Sequence, residues 1–149
     1  MEETHYLFSG TYEHSLDDKG RLTIPSSFRK DFMDGAVLRK DKSGCVEILP
    51  RSAWNLFLEK LRGISRTDAK AQRWVTHQLA GALQTELDKQ GRVLLGNDMR
   101  AHAGLQGGSV VVTGALDRLK VWSSERWTEF EAEADAEDLD EYVNQNYQI

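Results

Sequence analysis

Apolar positions alternate with polar ones in short runs, and between those runs they recur at helical spacing. Tyr6-Leu7-Phe8 and Thr11-Tyr12-Glu13-His14 read as strand residues. Leu16 and Leu22 flank a turn, Asp17-Asp18-Lys19-Gly20-Arg21, and Ile24-Pro25 ends the strand that leaves it. Ser26 or Ser27 is placed to cap a short helix running to about Phe32. Ala36–Lys40 and Cys45–Leu49 flank Asp41-Lys42-Ser43-Gly44 and read as a hairpin. Trp54, Phe57, Leu58 and Leu61 have helical spacing from Arg51 to about Arg62. Ile64–Asp68 is a linker, with Thr67 or Asp68 as cap of a connecting helix over 69–80 that carries Trp74, Leu79 and alanines. Farther on, Asn97 or Asp98 caps a helix that Gly104 stops, Val110–Thr113 and Arg118–Trp122 form another hairpin, and Trp127, Phe130 and Ala134 mark a last helix. Beyond about Ala134 the chain turns acidic and polar. Such a tail either frays or docks Leu139, Tyr142 and Val143 on a neighbour.

This order of elements occurs twice. Asp17-Asp18-Lys19-Gly20-Arg21 returns seventy-one residues later as Asp88-Lys89-Gln90-Gly91-Arg92. Between Gly10–Arg29 and Gly81–Arg100, six of twenty aligned positions are identical, where chance gives about one at roughly one in fifteen per position. The identities include Leu16/Leu87, Arg21/Arg92 and Arg29/Arg100. Val37-Leu38-Arg39 aligns with Val110-Val111-Val112, Val46–Leu49 with Leu119–Trp122, and Trp54 with Trp127, so the offset grows from 71 to 73. One structural unit used twice offers one binding surface twice.

Composition sets the broad class. A chain of 149 residues, 40% apolar and 29% charged, has the balance of a soluble globular protein large enough for a sizeable core. No run of eighteen apolar residues exists, and with Glu2, Glu3 and no apolar core in the first residues a secretory signal is not expected. The single cysteine, Cys45, reads as a small buried apolar residue, and a cytoplasmic location is expected. Net charge is −5, but residues 124–149 hold nine acidic residues and one basic one. The preceding 123 hold eighteen basic and fifteen acidic residues, so they can present a basic face to a polyanion.

Candidate chemistry lies in the repeated turns. Asp17 and Asp88 can accept hydrogen bonds from their own turn amides, and Gly20 and Gly91 supply the positive φ that a type I turn with a following bulge requires. Arg21 and Arg92 then sit at the hairpin exits, with Lys19 and Lys89 nearby and Arg29 and Arg100 on the short helices. One such turn is accounted for by a local Asp17–Arg21 ion pair. Arginines repeated in both copies suggest instead a planar fork for phosphate or a guanine edge. No nucleophile with a positioned base, no phosphate loop and no metal-ligand spacing is evident. His5, His14, His77 and His102 read as ordinary surface or core groups, and no enzymatic activity, cofactor or metal is expected.

Gly10, the run Leu16–Pro25, Leu49-Pro50 with Trp54, the run Leu87–Val93, Arg100 with Ala103-Gly104-Leu105, and Val121-Trp122 with Trp127 together resemble the bacterial MraZ family over nearly the whole chain. The resemblance implies an α+β, mainly β fold: a swapped-hairpin AbrB-like β-barrel built from two internal repeats, with flanking helices. The expected layout is a first repeat over 7–54, helix and linker helix over 55–82, a second repeat over 83–126, and a C-terminal helix and acidic tail over 127–149. The implied function is a nucleoid-associated regulator, expected to repress, that binds short direct repeats in the promoter of the division and cell-wall gene cluster, its own gene included. Its implied partners are double-stranded DNA and copies of itself in a ring. DNA contact transfers to Arg21 and Arg92, with Asp17, Gly20, Asp88 and Gly91 shaping the loops; Lys19, Lys89, Arg29 and Arg100 join them as DNA-binding candidates from the repeat itself. Gly96 replaces the proline of the first copy and Gln90 aligns with Lys19, so the weaker DNA contact is expected in the second copy. The rival reading is an antitoxin-like interaction module whose acidic tail binds a partner protein.

Overall fold

The computed structural model describes residues 7–149; Tyr6 of the first expected strand, and His5, lie outside the described residues. The strands are β1 (Thr11–Ser15), β2 (Arg21–Thr23), β3 (Ala36–Lys40), β4 (Val46–Pro50), β5 (Leu83–Thr85), β6 (Arg92–Leu94), β7 (Ser109–Gly114) and β8 (Leu119–Ser123). The helices are a 3₁₀ helix at Ser26–Phe32, then α1 (Arg51–Arg62), α2 (Ala69–Ala80), α3 (Asn97–Ala103), α4 (Ser124–Ala136) and α5 (Leu139–Tyr147). Phe8 joins the sheet through one bridge, to Leu116.

Six strands form an antiparallel sheet in the order β1-β7-β8-β4-β3-β5, and β2 pairs with β6 in a separate ribbon. The repeats are swapped into each other. β1 of the first repeat pairs with β7 of the second, and β5 of the second pairs with β3 of the first. The turns cause this exchange. The first closes with Gly20 N–H donating to Asp17 O and a single bridge between Leu16 and Leu22, after which β1 and β2 diverge toward strands of the other repeat.

Registers reveal a pseudo-twofold axis. In the ribbon Leu22 faces its own repeat equivalent, Val93; at the sheet centre Glu47 of β4 faces its equivalent, Lys120 of β8. The ribbon and the inner sheet face enclose one core, in which Leu22, Ile24, Val93 and Leu95 meet Leu38, Ile48, Val112 and Val121. Each fully buried aliphatic side chain there contributes about 1.5–3 kcal/mol. The outer sheet face is covered by the helices that follow β4 and β8. Trp54 of α1 is buried with Phe57 against it, and Trp122 of β8 is covered by Trp127 and Phe130 of α4.

The structure corrects the alignment of the third strand pair by one residue. Ala36 and Leu38 point into the same core as Val110 and Val112, whereas Val37 and Val111 lie on the opposite face. Val37 therefore corresponds to Val111 rather than Val110. Its hairpin is compensated by a shorter connection, because Gly114 pairs with Leu119 where Lys40 pairs with Val46.

Two expected caps are also replaced. Pro25 and Gly96 occupy the N-cap positions of the 3₁₀ helix and α3, with no side-chain cap bond. Ser26 and Asn97 already lie inside the helices, and Asn97 accepts a bond from Arg100 Nη2 instead. Asp68 does cap α2, through Ala71 N–H, and Gly104 ends α3 at φ 66°. The acidic segment beyond Ala136 is helical rather than frayed: Asp138 accepts from Glu141 N–H and starts α5. Cys45 is fully buried, and that burial, with Asp41 nearby, pushes its thiol up to about 12.

Candidate nucleic-acid interface

Side chains alternate along the ribbon, and this positions the candidate residues. Leu22 and Val93 point into the core, so Arg21 and Thr23 of β2, with Arg92 and Leu94 of β6, lie on the outer face. Arg21 pairs with Leu94 and Arg92 with Thr23, which sets the two arginines diagonally across two strands. Thr23 and Leu94 join the candidate residues only in the structure. Strand alternation was the signal for them, and Leu94 is half exposed, at 52%.

Each turn holds its arginine the same way. Asp17 Oδ1 accepts from the backbone N–H of Lys19 at 3.0 Å and of Arg21 at 2.8 Å, and Oδ2 accepts from Arg21 Nε at 2.6 Å. Asp88 repeats the pattern with Gln90 N–H, Arg92 N–H and Arg92 Nε, at 2.9, 2.9 and 2.8 Å. The backbone N–H of Arg21 does most to hold the Asp17 carboxyl below its ordinary range, and that of Arg92 does the same for Asp88. The local ion pair weighed from sequence therefore exists in both copies. It engages Nε and leaves the Nη1/Nη2 end of each guanidinium without a hydrogen bond among the described residues. Carboxylate and fork are thus compatible, the first orienting the second.

The turns also touch each other. Arg92 Nη1 lies 3.7 Å from Asp17 Oδ2. Ile24 N–H donates to Gly91 O, and Leu95 N–H donates to Gly20 O, both at 2.9 Å. Lys19 and Lys89 are exposed at the tips.

Arg29 and Arg100 reach across between repeats. Arg29 donates through Nε to Ile24 O at 2.9 Å and packs beneath the second turn, where a Cβ on Gly91 would sit 2.6 Å from Arg29 Nε. Arg100 packs beneath the first turn, and a Cβ on Gly20 would meet its Nε at 2.9 Å. Gly20 and Gly91 are at φ 80° and 76°, so glycine is required both for the backbone and for the opposite repeat's guanidinium.

Gly96 does not loosen the second copy. Its φ of −67° is close to that of Pro25, at −51°, and a Cβ there would meet nothing within 4 Å. Gly96→Pro is accordingly expected to stabilise the protein by about 0.4–1 kcal/mol, by restricting the unfolded chain. Paired denaturant melts check this, and a loss of stability would show that the backbone here is not shared by the two repeats.

The fold and site define a class: two swapped repeats whose hairpin turns set paired arginines on one face. The family model "MraZ protein, putative antitoxin-like" matches twice, over residues 7–76 and 78–147. The chain is similar to proteins named transcriptional regulator MraZ. One from Thermus thermophilus is 44% identical over 119 residues, covering 79% of this chain and 83% of the relative. That of Natranaerobius thermophilus is 36% identical over 130 residues, covering 87% and 90%. That of Lactobacillus johnsonii is 38% identical over 141 residues, covering 91% and 98%. This chain belongs to the MraZ family.

Proposed function

We propose that this protein is a DNA-binding transcription regulator, without enzymatic activity, whose outer ribbon face reads base edges through Arg21 and Arg92. The observation that carries the reading is the diagonal placement of two carboxylate-oriented guanidinium forks on a two-stranded ribbon. B-DNA's major groove admits such a ribbon, and a fork matches the O6/N7 edge of guanine. Thr23 and Leu94, between the forks, offer apolar contact to a thymine methyl. Lys19 and Lys89 neutralise phosphates and set orientation. Arg29 and Arg100 act beneath the turns, holding each loop in shape from the other repeat. The names of the relatives support the regulatory role.

The finer reading follows from the family resemblance. The protein represses, from the nucleoid, by binding short direct repeats in the promoter of the division and cell-wall genes, its own gene among them. One ribbon makes few base contacts, so a ring of copies engaging evenly spaced repeats gains affinity through effective concentration. Titrating promoter DNA at several salt concentrations tests the polyanion contact. With several phosphates neutralised per protomer, the log–log slope is expected to be well beyond about −1. A flat response would favour the antitoxin-like reading, with a protein as the main partner.

A further inference from the structure

The antiparallel ladder between β3 and β5 ends at the pair Ala36–Thr85. Met33 and Asp34 stand just beyond that end on one side, Glu86 and Leu87 on the other, and with Arg29 and Lys89 they line a cleft of about 560 Å³. Small-molecule sites span about 300–1,000 Å³. The cleft lies against the second turn. Asp88 and Gly91 border it, and Arg29 is the guanidinium that packs beneath Gly91. Arg29 uses Nε on Ile24 O. Its Nη end, like the charged ends of Asp34, Glu86 and Lys89, has no hydrogen bond or ion pair among the described residues. Met33 is a large apolar side chain left 79% exposed. The repeated fold does not require these groups. Glu86 aligns with Ser15, and Met33 and Asp34 align with Gly104 and Leu105.

We propose that this cleft binds a small zwitterion with an apolar body, the chemistry of an apolar amino acid or a short apolar peptide, and that the bound zwitterion strengthens the contact of the second turn with DNA. Its carboxylate pairs with the free fork of Arg29. Its ammonium pairs with Asp34 and Glu86, and its apolar body covers Met33 and Leu87. Charge decides against the alternatives. A dianion such as phosphate would meet three carboxylates, Asp34, Glu86 and Asp88, against two cations, and a simple amine would leave Arg29 unmatched. Two effects on DNA binding then have the same sign. The carboxylate fixes Arg29 beneath Gly91, whose carbonyl accepts from Ile24 N–H across the ribbon. The ammonium offsets Glu86, two residues from Asp88, so less negative charge opposes the DNA. The coupling is reciprocal, and DNA tightens binding of the zwitterion by the same factor. The effect on DNA rests on the proposed reading of the ribbon, whereas occupancy of the cleft does not.

Calorimetric titration of the full chain without DNA tests occupancy with four probes: leucine, leucyl-leucine, isocaproate, which lacks the ammonium, and isoamylamine, which lacks the carboxylate. At least one of the two zwitterions is expected to bind saturably, at least about tenfold more tightly than either single-charge analogue, since each lost partner leaves a charged hydrogen bond unmade. Asp34→Asn/Glu86→Gln is expected to lose that binding. Both positions are exposed, and thermal melts verify that the variant folds. Gel-shift titration of promoter DNA with and without the tighter zwitterion tests the coupling. Parental affinity is expected to rise at least about fivefold with the zwitterion present, and that of the double variant to stay unchanged by it. Failure of both zwitterions to bind, equal binding of an analogue, parental binding by the double variant, or a bound zwitterion that leaves DNA affinity the same or lower overturns the proposal. Failure of the parent to bind DNA without any probe would sink the proposed function instead, and the calorimetry would still decide what the cleft holds.

Discussion

Arg21→Ala is expected to lower affinity for promoter DNA sharply while leaving the fold nearly intact. A lost bidentate base contact costs about 1–3 kcal/mol at each engaged ribbon, and the loss multiplies where several copies bind one promoter. The stability cost is small, because the Asp17–Arg21 ion pair is at the surface, and such pairs contribute about 0–1 kcal/mol. The substitution also leaves Asp17 with only the more distant Arg92 as counter-charge. Arg92→Ala is expected to cost at least as much as Arg21→Ala. Arg92 pairs with Asp88 at 2.8 Å and lies 3.7 Å from Asp17, so its removal leaves Asp88 without its cation and takes from Asp17 the second of its two. That reverses the ranking expected from Gly96 and Gln90 in the sequence. Arg21→Lys restores part of the binding, since lysine keeps the charge and loses the fork. Gel-shift titration and thermal melting on the same preparations check all three variants. Parental binding by Arg21→Ala would make the turn arginine structural.

Glu47→Ala produces the largest loss of stability expected here, about 3–5 kcal/mol, because it breaks a buried ionic cluster by removing its shared acceptor. Glu47 is 4% exposed at the pseudo-twofold axis. Its Oε1 accepts from Arg39 Nη2 at 2.9 Å and its Oε2 from Arg118 Nη1 at 3.1 Å. Arg39 also lies over the Phe57 ring, 4.8 Å from the centroid, which ties α1 to the sheet centre. Without the carboxylate, two guanidinium groups remain at the seam between repeats with no counter-charge from Glu47. Denaturant unfolding measures the cost. A change below about 1 kcal/mol would mean that water reaches the cluster and screens it.

What was legible in the sequence was local. The Asp-x-x-Gly-Arg turns follow from residues within four positions of one another, and the structure reproduces every amide bond that their chemistry suggested. The α2 boundaries follow equally from helical spacing and the Asp68 cap. The crossed contacts were not legible. Arg29 beneath Gly91, Arg92 beside Asp17, and Arg126 Nη1 donating to both Gly44 O and His102 O join residues far apart in sequence, where no spacing rule applies. The slip at Val110-Val111-Val112 has its own cause. Three identical residues align equally well in either register, yet a shift of one exchanges the core face for the outer one. Face assignment needed the registers with the partner strands, β4 for β3 and β8 for β7. Thr23 and Leu94 were within reach of strand alternation, two positions beyond Arg21 and Arg92.

The proposed reading of a specific DNA sequence by the ribbon arginines is tested most directly by footprinting. The protein is placed on the DNA upstream of its own gene, with a scrambled fragment of equal length as competitor. The expected result is protection of short, evenly spaced direct repeats, with guanines among the protected bases, and loss of that pattern in the Arg21→Ala/Arg92→Ala double variant. Equal affinity for the native and scrambled fragments, or an unchanged footprint with the double variant, would contradict it.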